Sequence, residues 1–311
     1  MPNRLSMKDN FKAHLSVLVA NIIYGANYSI AKLVMPAFIQ PFGFILIRVG
    51  VSAILFFLMS RFFVTEKIDP ADRKRLILCA VFGIATNQLL FFKGLSLTSP
   101  INSGLIMVTN PLFVLILSGI FLHEKIGWKR IVGIISGILG AVILIVYGNR
   151  HSGSVSNPLG DLFILLNSLS YAVYLVMTKP LMYKYHPVTI MKYVFVSGAF
   201  MVFPFGFGDF MHINWASFTG TIWAATFFVV IGTTFFAYLF NTLALRSLSP
   251  GVVSVYIYLQ PVMAAGFAML LGKDQPSIVH LVSAIFIFAG VYLTTASGLK
   301  ERGKVNELVN D

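Results

Sequence analysis

The chain has 311 residues, of which 57% are apolar and only 11% are charged, with a mean hydropathy of +0.84 and a formal net charge of +12. A water-soluble domain carries charge on about a quarter of its residues. The composition therefore excludes a water-soluble domain and predicts an integral membrane protein. The continuously apolar run 131–147 does not fit the alternating strands, about ten residues long, of an outer-membrane barrel. Helices are the remaining way to cross a bilayer.

Ten apolar segments follow one another along the chain, each of about twenty residues, which is the length needed to cross roughly 30 Å of hydrocarbon. The tail 1–12 and the first segment resemble a secretory signal, but the segment is too long and has no small-residue cleavage site, so we expect it to stay as a span. The predicted spans cover 13–35, 42–63, 76–97, 101–122, 128–148, 159–182, 188–208, 219–245, 251–271 and 277–298.

A polar stretch between the fifth and sixth spans, 149–158, is rich in Gly, Ser, Asn and Pro and predicts an outer linker. It separates a first five-helix repeat, 13–148, from a second, 159–298. A polar tail, 299–311, follows the last predicted span.

The two halves share a sequence pattern in one ungapped register. Ser99-Pro100, which begins the fourth predicted span, recurs as Ser249-Pro250, and the mid-span Pro111 recurs as Pro261. The acidic Glu124 corresponds to Asp274 in the same register. Because each half holds an odd number of spans, the second copy would lie upside down relative to the first. Inverted repeats of this kind are typical of transporters that expose one central site to either side in turn.

Basic residues are concentrated on one side of the predicted bundle. That side holds both tails, the loop with Arg73-Lys74-Arg75 and the loop from Lys125 to Arg130, whereas the other side holds few, among them Arg150 and Lys273. The positive-inside rule assigns the basic side, and therefore both termini, to the cytoplasm. We expect a multi-pass protein of the cell (inner) membrane whose positive charge reflects topology in the lipid bilayer and not nucleic-acid binding.

Metal and redox chemistry are not indicated. Cys79 is the only cysteine, so no disulfide is predicted. His123-Glu124 lacks the second histidine of a zinc-protease helix, and no phosphate-binding glycine loop is present. We therefore expect no cofactor and no use of ATP.

The fourth predicted span contains Pro111 and ends in Phe121-Leu122-His123-Glu124, ahead of a glycine-rich fifth span. Together with Tyr24-Gly25 and Lys32, this stretch resembles the EamA domain of the drug/metabolite transporter superfamily. The second half, from Leu245 through Gly272-Lys273-Asp274, resembles the same domain. Its acidic residue, Asp274, lies one position later than the acidic position usual in the family. The resemblance covers about 13 to 298. It implies a ten-helix bundle of two inverted five-helix repeats, acting as a secondary transporter of small metabolites whose identity it does not specify.

Side-chain amides lie within the predicted spans. An unpaired amide in hydrocarbon costs several kcal/mol, so these groups should face the bundle interior, where they either join helices or bind substrate. Nearby tyrosines combine an apolar face with a hydroxyl, which suits amphipathic metabolites, although aromatic residues also pack membrane bundles generally. The predicted substrate-binding residues of these two kinds are Asn21, Tyr24, Asn27, Asn87, Gln88, Asn110, Tyr171, Tyr174, Tyr238, Asn241, Tyr256 and Gln260.

Charged residues near the spans are further candidates. Arg48 lies inside the second predicted span, where it either binds a substrate carboxylate or snorkels to the outer surface. Lys32 and Lys179 end the first and sixth spans on opposite sides, either as mirrored gates or as ordinary interfacial lysines. Pro111 and Pro261 predict a symmetric pair of helix kinks beside the site. The acidic residues Glu124, Asp161, Asp209 and Asp274 are predicted at the ends of spans and not in their interiors, so the sequence gives no support for proton coupling.

The sequence thus predicts a secondary transporter that exports or exchanges small metabolites, such as amino acids, by alternating access. The alternative is a channel or membrane receptor whose polar interior is structural. An intramembrane enzyme would need a nucleophile with its base, or a metal cluster, within the spans, and the sequence offers neither. Small residues in spans five and ten allow close packing, either internally or in a dimer, so the oligomeric state stays open.

Overall fold

The computed structural model describes residues 7–64, 66–122, 128–147, 157–272, 277–286, 288–290 and 292–293. Within these ranges all regular structure is helical, which confirms the predicted all-α class. Glu124, Asp274, the tail 299–311 and most of the linker 149–158 lie outside the described residues.

The helices are numbered in chain order. The first half of the chain contains α1 (Met7–Val34), α2 (Pro41–Phe63), α3 (Pro70–Ala80), α4 (Thr86–Leu97), α5 (Pro100–Met107), α6 (Asn110–Leu122) and α7 (Trp128–Tyr147). The second half contains α8 (Pro158–Thr178), α9 (Pro187–Met211), α10 (Gly220–Phe227), α11 (Ala237–Ser247), α12 (Pro250–Val255), α13 (Leu259–Leu270) and α14 (Ile278–Gly290).

Short segments of non-α helix connect several of these elements. Two wide π-helical segments, Val81–Ala85 and Phe228–Phe236, join α3 to α4 and α10 to α11. Tighter 3₁₀ turns, Lys179–Tyr183 and Tyr256–Tyr258, follow α8 and join α12 to α13. The two π-helical segments therefore occupy corresponding places in the two halves of the chain.

Eight segments of the described chain are long and apolar enough to cross a membrane, so the protein is a multi-pass membrane protein. Helices α7 and α14 occupy the places of the fifth and tenth predicted spans but are not among these eight, and the count of ten stays a prediction. The eight segments are Phe11–Val34, Pro41–Phe63, Pro70–Leu97, Pro100–Phe121, Pro158–Tyr183, Pro187–Met211, Gly220–Ser247 and Pro250–Phe267.

The repeated Ser-Pro pair starts a helix in both halves. The side-chain oxygen of Ser99 accepts a hydrogen bond from the backbone N–H of Asn102 at 3.1 Å, and that of Ser249 accepts one from Val252 at 3.3 Å. The proline that follows each serine takes the first helical position, where no N–H donor is required. The same serine cap, followed by a proline in the first turn, therefore fixes where α5 and α12 begin.

The mid-span prolines interrupt their helices. Helix α5 ends ahead of Pro111, where the backbone N–H of Thr109 bonds to the carbonyl oxygen of Ile106 at 3.0 Å, three residues back. The turn Tyr256–Tyr258 separates α12 from α13 just before Pro261. Proline has no N–H and its ring crowds the preceding turn, so each span divides into two shorter helices instead of bending smoothly.

Helices from the two halves of the chain pack against each other. Helix α2 lies against α9, α4 against α8, and α1 against both α11 and α13. Helices α7 and α14 meet at glycines, because a Cβ atom on Gly290 would lie 2.4 Å from the carbonyl oxygen of Gly133. At the same crossing the Ser136 hydroxyl donates to the carbonyl oxygen of Phe286 at 3.0 Å. Small residues thus bring these two backbones together, as in membrane helix pairs generally.

Candidate functional site

A cavity of about 60 Å³ lies between the helices and is bordered by both halves of the chain. It has room for a few water molecules. Its lining combines amides, hydroxyl groups, aromatic rings and one guanidinium group. We call it the central cavity, lined by Tyr24, Asn27, Tyr28, Arg48, Asn87, Gln88, Phe91, Phe92, Met107, Asn167, Tyr171, Thr233, Tyr238 and Gln260.

The sequence-predicted substrate-binding residues divide into two groups around this cavity. Those that line it are Tyr24, Asn27, Arg48, Asn87, Gln88, Tyr171, Tyr238 and Gln260. Five of the predicted residues do not line the cavity: Asn21, Asn110, Tyr174, Asn241 and Tyr256. Most of these five hold a neighbouring residue in place through a hydrogen bond or a ring contact.

Gln260 is fixed by a chain of buried hydrogen bonds between α1 and α13. The Tyr28 hydroxyl donates to its Oε1 at 2.7 Å, and its Nε2 donates to Oδ1 of Asn21 at 2.7 Å. Asn21 in turn donates from Nδ2 to the carbonyl oxygen of Val17 at 2.8 Å. Asn21 therefore orients a cavity residue from behind, while Gln260 reaches the cavity itself.

Tyr238 connects α11 to α4 and to the first π-helical segment. Its hydroxyl oxygen accepts a hydrogen bond from Nε2 of Gln88 at 2.6 Å. The same hydroxyl lies 3.0 Å from Oδ1 of Asn87 and 3.2 Å from the carbonyl oxygen of Gly83, either of which can accept its proton. These contacts anchor three cavity-lining side chains to one another.

Tyr171 is positioned by two residues that do not line the cavity. Nδ2 of Asn241 donates to its hydroxyl at 3.1 Å, and the ring of Tyr174 stacks on it with centroids 5.7 Å apart. Tyr174 fits there because Gly83 has no side chain: a Cβ atom on Gly83 would lie 2.3 Å from Cδ2 of the Tyr174 ring. The glycine in the π-helical segment thus makes room for the stacked pair.

Arg48 is buried in the bundle, with only 1% of its surface exposed. Its Nε donates to Oγ1 of Thr234 at 2.7 Å, and its guanidinium carbon lies 3.9 Å from the centroid of the Phe92 ring. Thr234 donates in turn to the carbonyl oxygen of Val229 at 2.9 Å, within the second π-helical segment. The side chain turns inward to these partners, so the snorkelling alternative does not fit its placement.

Several buried polar atoms around the cavity have no hydrogen-bond partner in the described part of the chain. Among them are Asn27 Oδ1, Arg48 Nη1, Asn167 Oδ1 and Thr233 Oγ1. Asn167 donates from Nδ2 to the carbonyl oxygen of Asn87 at 2.7 Å, which fixes the orientation of its amide and leaves the oxygen as the available group. An unsatisfied buried polar group costs free energy, so these atoms are suited to a ligand or to water.

Two further predicted residues lie apart from the cavity. Nδ2 of Asn110 donates to the carbonyl oxygen of Ser168 at 2.7 Å and so joins α6 to α8. The hydroxyl of the partly exposed Tyr256 lies 2.8 Å from Nδ1 of His14 on α1. Both serve as helix-to-helix contacts, which is the other use that the sequence left open for such groups.

A buried polar cluster surrounds the end of α1. The Lys32 ammonium group donates to the carbonyl oxygen of Thr98, and the Thr98 hydroxyl donates to the carboxylate of Asp161. Asn102 donates from Nδ2 to the same carboxylate at 3.2 Å, and its Oδ1 lies 2.8 Å from Nε2 of His280. Asp161 is fully buried in the first turn of α8, although its place near a predicted span end gave no reason to expect burial.

Lys179 makes a matching contact at the other end of α8. Its Nζ donates to the carbonyl oxygens of Leu245 at 2.8 Å and Leu248 at 2.9 Å. Leu248 immediately precedes the second Ser-Pro pair, just as Thr98 precedes the first. Helix α8, with 21 residues, extends about 32 Å between its two ends at 1.5 Å per residue.

Charged and titratable groups also meet beyond the Lys179 contact. Nζ of Lys184 lies 3.0 Å from Oδ2 of Asp72, and this hydrogen bond raises the pKa of Lys184. His186 caps α9 by accepting from the backbone N–H of Val188 at 3.3 Å. Burial, and secondly the charge of Arg246, lower the pKa of His186.

Six cavity-lining residues were not among the sequence-predicted site residues. Tyr28, Asn167 and Thr233 are polar groups within spans, which is the signal that identified the others. Phe91, Phe92 and Met107 are apolar residues in apolar helices, so nothing in the sequence separates them from the general packing.

Comparison with known proteins adds to this geometry. The family model described as the EamA-like transporter family matches residues 11–146 and 158–296. The chain is 26% identical over 298 residues to the "Uncharacterized transporter YyaM" of Bacillus subtilis, covering 94% of this chain and 96% of that protein. It is 24% identical over 234 residues to the "Probable terminal-alkyne amino-acid exporter" of Streptantibioticus cattleyicolor, covering 74% and 76%.

A crystal structure of another protein has the same fold. It matches with a TM-score of 0.66 over 93% of this chain and 98% of that chain, at 15% sequence identity.

Proposed function

The chain belongs to the EamA-like transporter family, and we propose that it is a secondary transporter that exports or exchanges small metabolites, amino acids foremost, across the cell (inner) membrane. The observation that carries this proposal is the central cavity, where buried polar atoms from both halves of the chain lack partners in the described structure. Such groups suit reversible binding of a polar solute inside a bilayer. The similarity to a protein named as an amino-acid exporter supports the substrate class.

The proposed architecture is two inverted five-helix repeats, 13–148 and 159–298, joined by an outer linker at 149–158. The matching lysine contacts at opposite ends of α8 support it. So do the two π-helical segments, which occupy corresponding positions in the two halves. With both termini in the cytoplasm, the Lys32 contact faces outward and the Lys179 contact faces inward.

Alternating access would work by releasing these contacts in turn. Lys32 holds the loop before α5, and Lys179 holds the loop before α12. The interruptions ahead of Pro111 and Pro261 allow α5 and α12 to move relative to α6 and α13. Breaking one lysine contact while the other holds would open the cavity to one side of the membrane only.

The alternative is a channel or receptor. A cavity of about 60 Å³, in a bundle that has a lysine contact at each end of α8, supports a carrier better than a permanently open pore. A carrier must saturate as its substrate concentration rises, because each transport cycle moves one bound solute. A channel has flux that rises in proportion to concentration over a much wider range.

The test begins in cells. Metabolites inside and outside cells that overproduce the protein are compared by mass spectrometry with those of cells lacking it, and solutes that shift across the membrane are then assayed with the purified protein in liposomes. We expect saturable flux of one or a few small metabolites. No shift of any metabolite in cells would contradict the transporter proposal, and flux that never saturates would favour the channel.

A further inference from the structure

The central cavity holds a single kind of charge. Among the described residues that line it, Arg48 is charged, and none is an aspartate or glutamate. A buried cation without a neighbouring anion is costly, because water no longer solvates it and no ion pair compensates. The Phe92 ring and the Thr234 hydroxyl offset part of this cost, but neither carries a negative charge.

The guanidinium group is held in a fixed orientation with part of it still available. Thr234 engages Nε, and the Phe92 ring lies against the guanidinium carbon at 3.9 Å. Nη1 is buried and has no hydrogen-bond partner in the described structure. An arginine with a fixed plane and free N–H groups is the residue type that best matches a carboxylate. The hydroxyl of Thr233, also buried and without a described partner, can donate another bond.

We propose that Arg48 binds the carboxylate group of a substrate that carries a single carboxylate in the central cavity. This inference rests on the transporter function proposed above and narrows its substrate class. One guanidinium group neutralises one carboxylate, whereas a doubly charged phosphate would leave one negative charge buried and unpaired. The substrate therefore carries one carboxylate, either as a simple monocarboxylate or as part of a zwitterion.

The rest of the lining restricts the class further. The side-chain oxygens of Asn27 and Asn167 are buried acceptors without described partners. They match a donor on the same solute, such as an ammonium, amide N–H or hydroxyl group. The substrate class is thus a small monocarboxylate that also carries a hydrogen-bond donor, with amino and hydroxy acids as its simplest members.

Thermal unfolding of the purified full chain in detergent tests this with stated probes. The probes are the twenty protein amino acids, L-lactate and acetate, the amides of the same compounds, the amines that correspond to the amino acids without their carboxylate, and inorganic phosphate. We expect one or more amino or hydroxy acids to raise the melting temperature at millimolar concentration. The amide and the amine of the same compound should give at most a tenth of the apparent affinity.

Two variants connect the effect to Arg48. Arg48→Gln should abolish the carboxylate response and shift the preference toward the amide, since glutamine retains a donor without the charge. Arg48→Lys should retain a weakened response. Arg61→Gln, the same change at an exposed position on the same helix, is the control and should behave like the wild type. The preference between acid and amide is a ratio within one variant, so it does not depend on how stable that variant is.

The outcomes separate this inference from the proposed function. A stronger response to amides or amines than to acids, a stronger response to phosphate than to any carboxylate, or no response to any carboxylate would overturn it. The inference is also overturned if Arg48→Gln keeps the wild-type preference for the acid over the amide. Saturable metabolite flux in liposomes together with any of these results would leave the transporter function standing and remove only the carboxylate assignment.

Discussion

Gln88 donates a 2.6 Å hydrogen bond to the Tyr238 hydroxyl, and the two residues lie 150 positions apart in the chain. The hydrogen bond between Ser136 and Phe286 joins residues with the same separation. Since 150 is also the offset between the two Ser-Pro pairs, both bonds join corresponding positions of the proposed repeats. In a two-fold arrangement, corresponding residues meet only near the axis, so the axis would pass beside the central cavity and between α7 and α14.

The Tyr238 hydroxyl should be important for both stability and transport. Tyr238→Phe removes the acceptor for Gln88 and the hydroxyl that donates to Asn87 Oδ1 or to the carbonyl oxygen of Gly83, which leaves buried polar groups unsatisfied at a cost of about 1–3 kcal/mol. We expect a lower melting temperature and reduced flux in liposomes. Tyr183→Phe, at a position that is 75% exposed, is the matched control. Equal melting temperatures for the two variants would contradict this account.

Gly83 should not tolerate even one added methyl group. In Gly83→Ala the new Cβ would lie 2.3 Å from the Tyr174 ring, which must move and carry Tyr171 with it. Overpacking of this kind costs about 1–3 kcal/mol, and we expect loss of both stability and substrate response. Gly50→Ala is the control, because no atom lies within 4 Å of a Cβ there. If the two variants have the same melting temperature, Gly83 does not confine the stacked rings of Tyr171 and Tyr174.

Access to the cavity should alternate between the two sides of the membrane. Thr233→Cys, made in a Cys79→Ser background, places a thiol on the cavity lining with little change in volume. We expect water-soluble thiol reagents to label it from either side in turn, and substrate to slow labelling. Thr226→Cys, on α10 and outside the cavity lining, should stay unlabelled.

Removing one lysine contact should bias that alternation. Lys179→Met abolishes the bonds to the carbonyl oxygens of Leu245 and Leu248, so the proposed inner gate closes less often. We expect the thiol of Thr233→Cys to react faster from the side on which Lys179 lies, and more slowly from the other side. Lys32→Met should have the opposite effect. Unchanged labelling rates in both variants would remove the gating role of these lysines.

His186 should make folding stability depend on pH. Burial and the charge of Arg246 lower its pKa in the folded protein, an effect that the charge of Glu66 partly opposes. The unfolded chain then binds more protons than the folded chain near pH 6.5, so stability is present above this pH and decreases as pH falls through it. His186→Asn keeps a side-chain acceptor at the start of α9 without titrating. Its melting temperature should decrease less than the wild type's between pH 7.5 and 5.5; an equal decrease would contradict this.

Much of the helical framework could be predicted from the sequence, because hydrocarbon thickness sets span length and proline and serine mark helix starts. The Ser-Pro starts at Ser99 and Ser249 and the interruptions before Pro111 and Pro261 follow from local chemistry alone. The π-helical segments could not be predicted from local chemistry, since nothing in the residues Val81–Ala85 distinguishes a wide turn from an ordinary one. Residues of other helices bond to these segments, Tyr238 to the carbonyl oxygen of Gly83 and Arg48 to the hydroxyl of Thr234.

The candidate site was predictable in kind more than in detail. Polarity within an apolar span identified Asn27, Gln88 and Gln260, yet the same signal selected Asn110, which joins two helices away from the cavity. Whether an amide faces a cavity or a neighbouring helix depends on the rotation of its helix in the bundle, and only tertiary packing sets that rotation. For the same reason the burial of Asp161 could not be read from its place near a helix end.

The isolated charge of Arg48 also has an electrical consequence. With a hydroxy acid or another monocarboxylate that lacks an ammonium group bound, the cavity would be neutral, whereas the empty cavity carries one positive charge. A membrane potential would then act on the return of the empty carrier and leave the loaded step almost unaffected. The full potential is worth about 2.3 kcal/mol per elementary charge for each 100 mV, and a charge part of the way across experiences only a fraction of it. Voltage would therefore set the rate at which the empty site becomes available again.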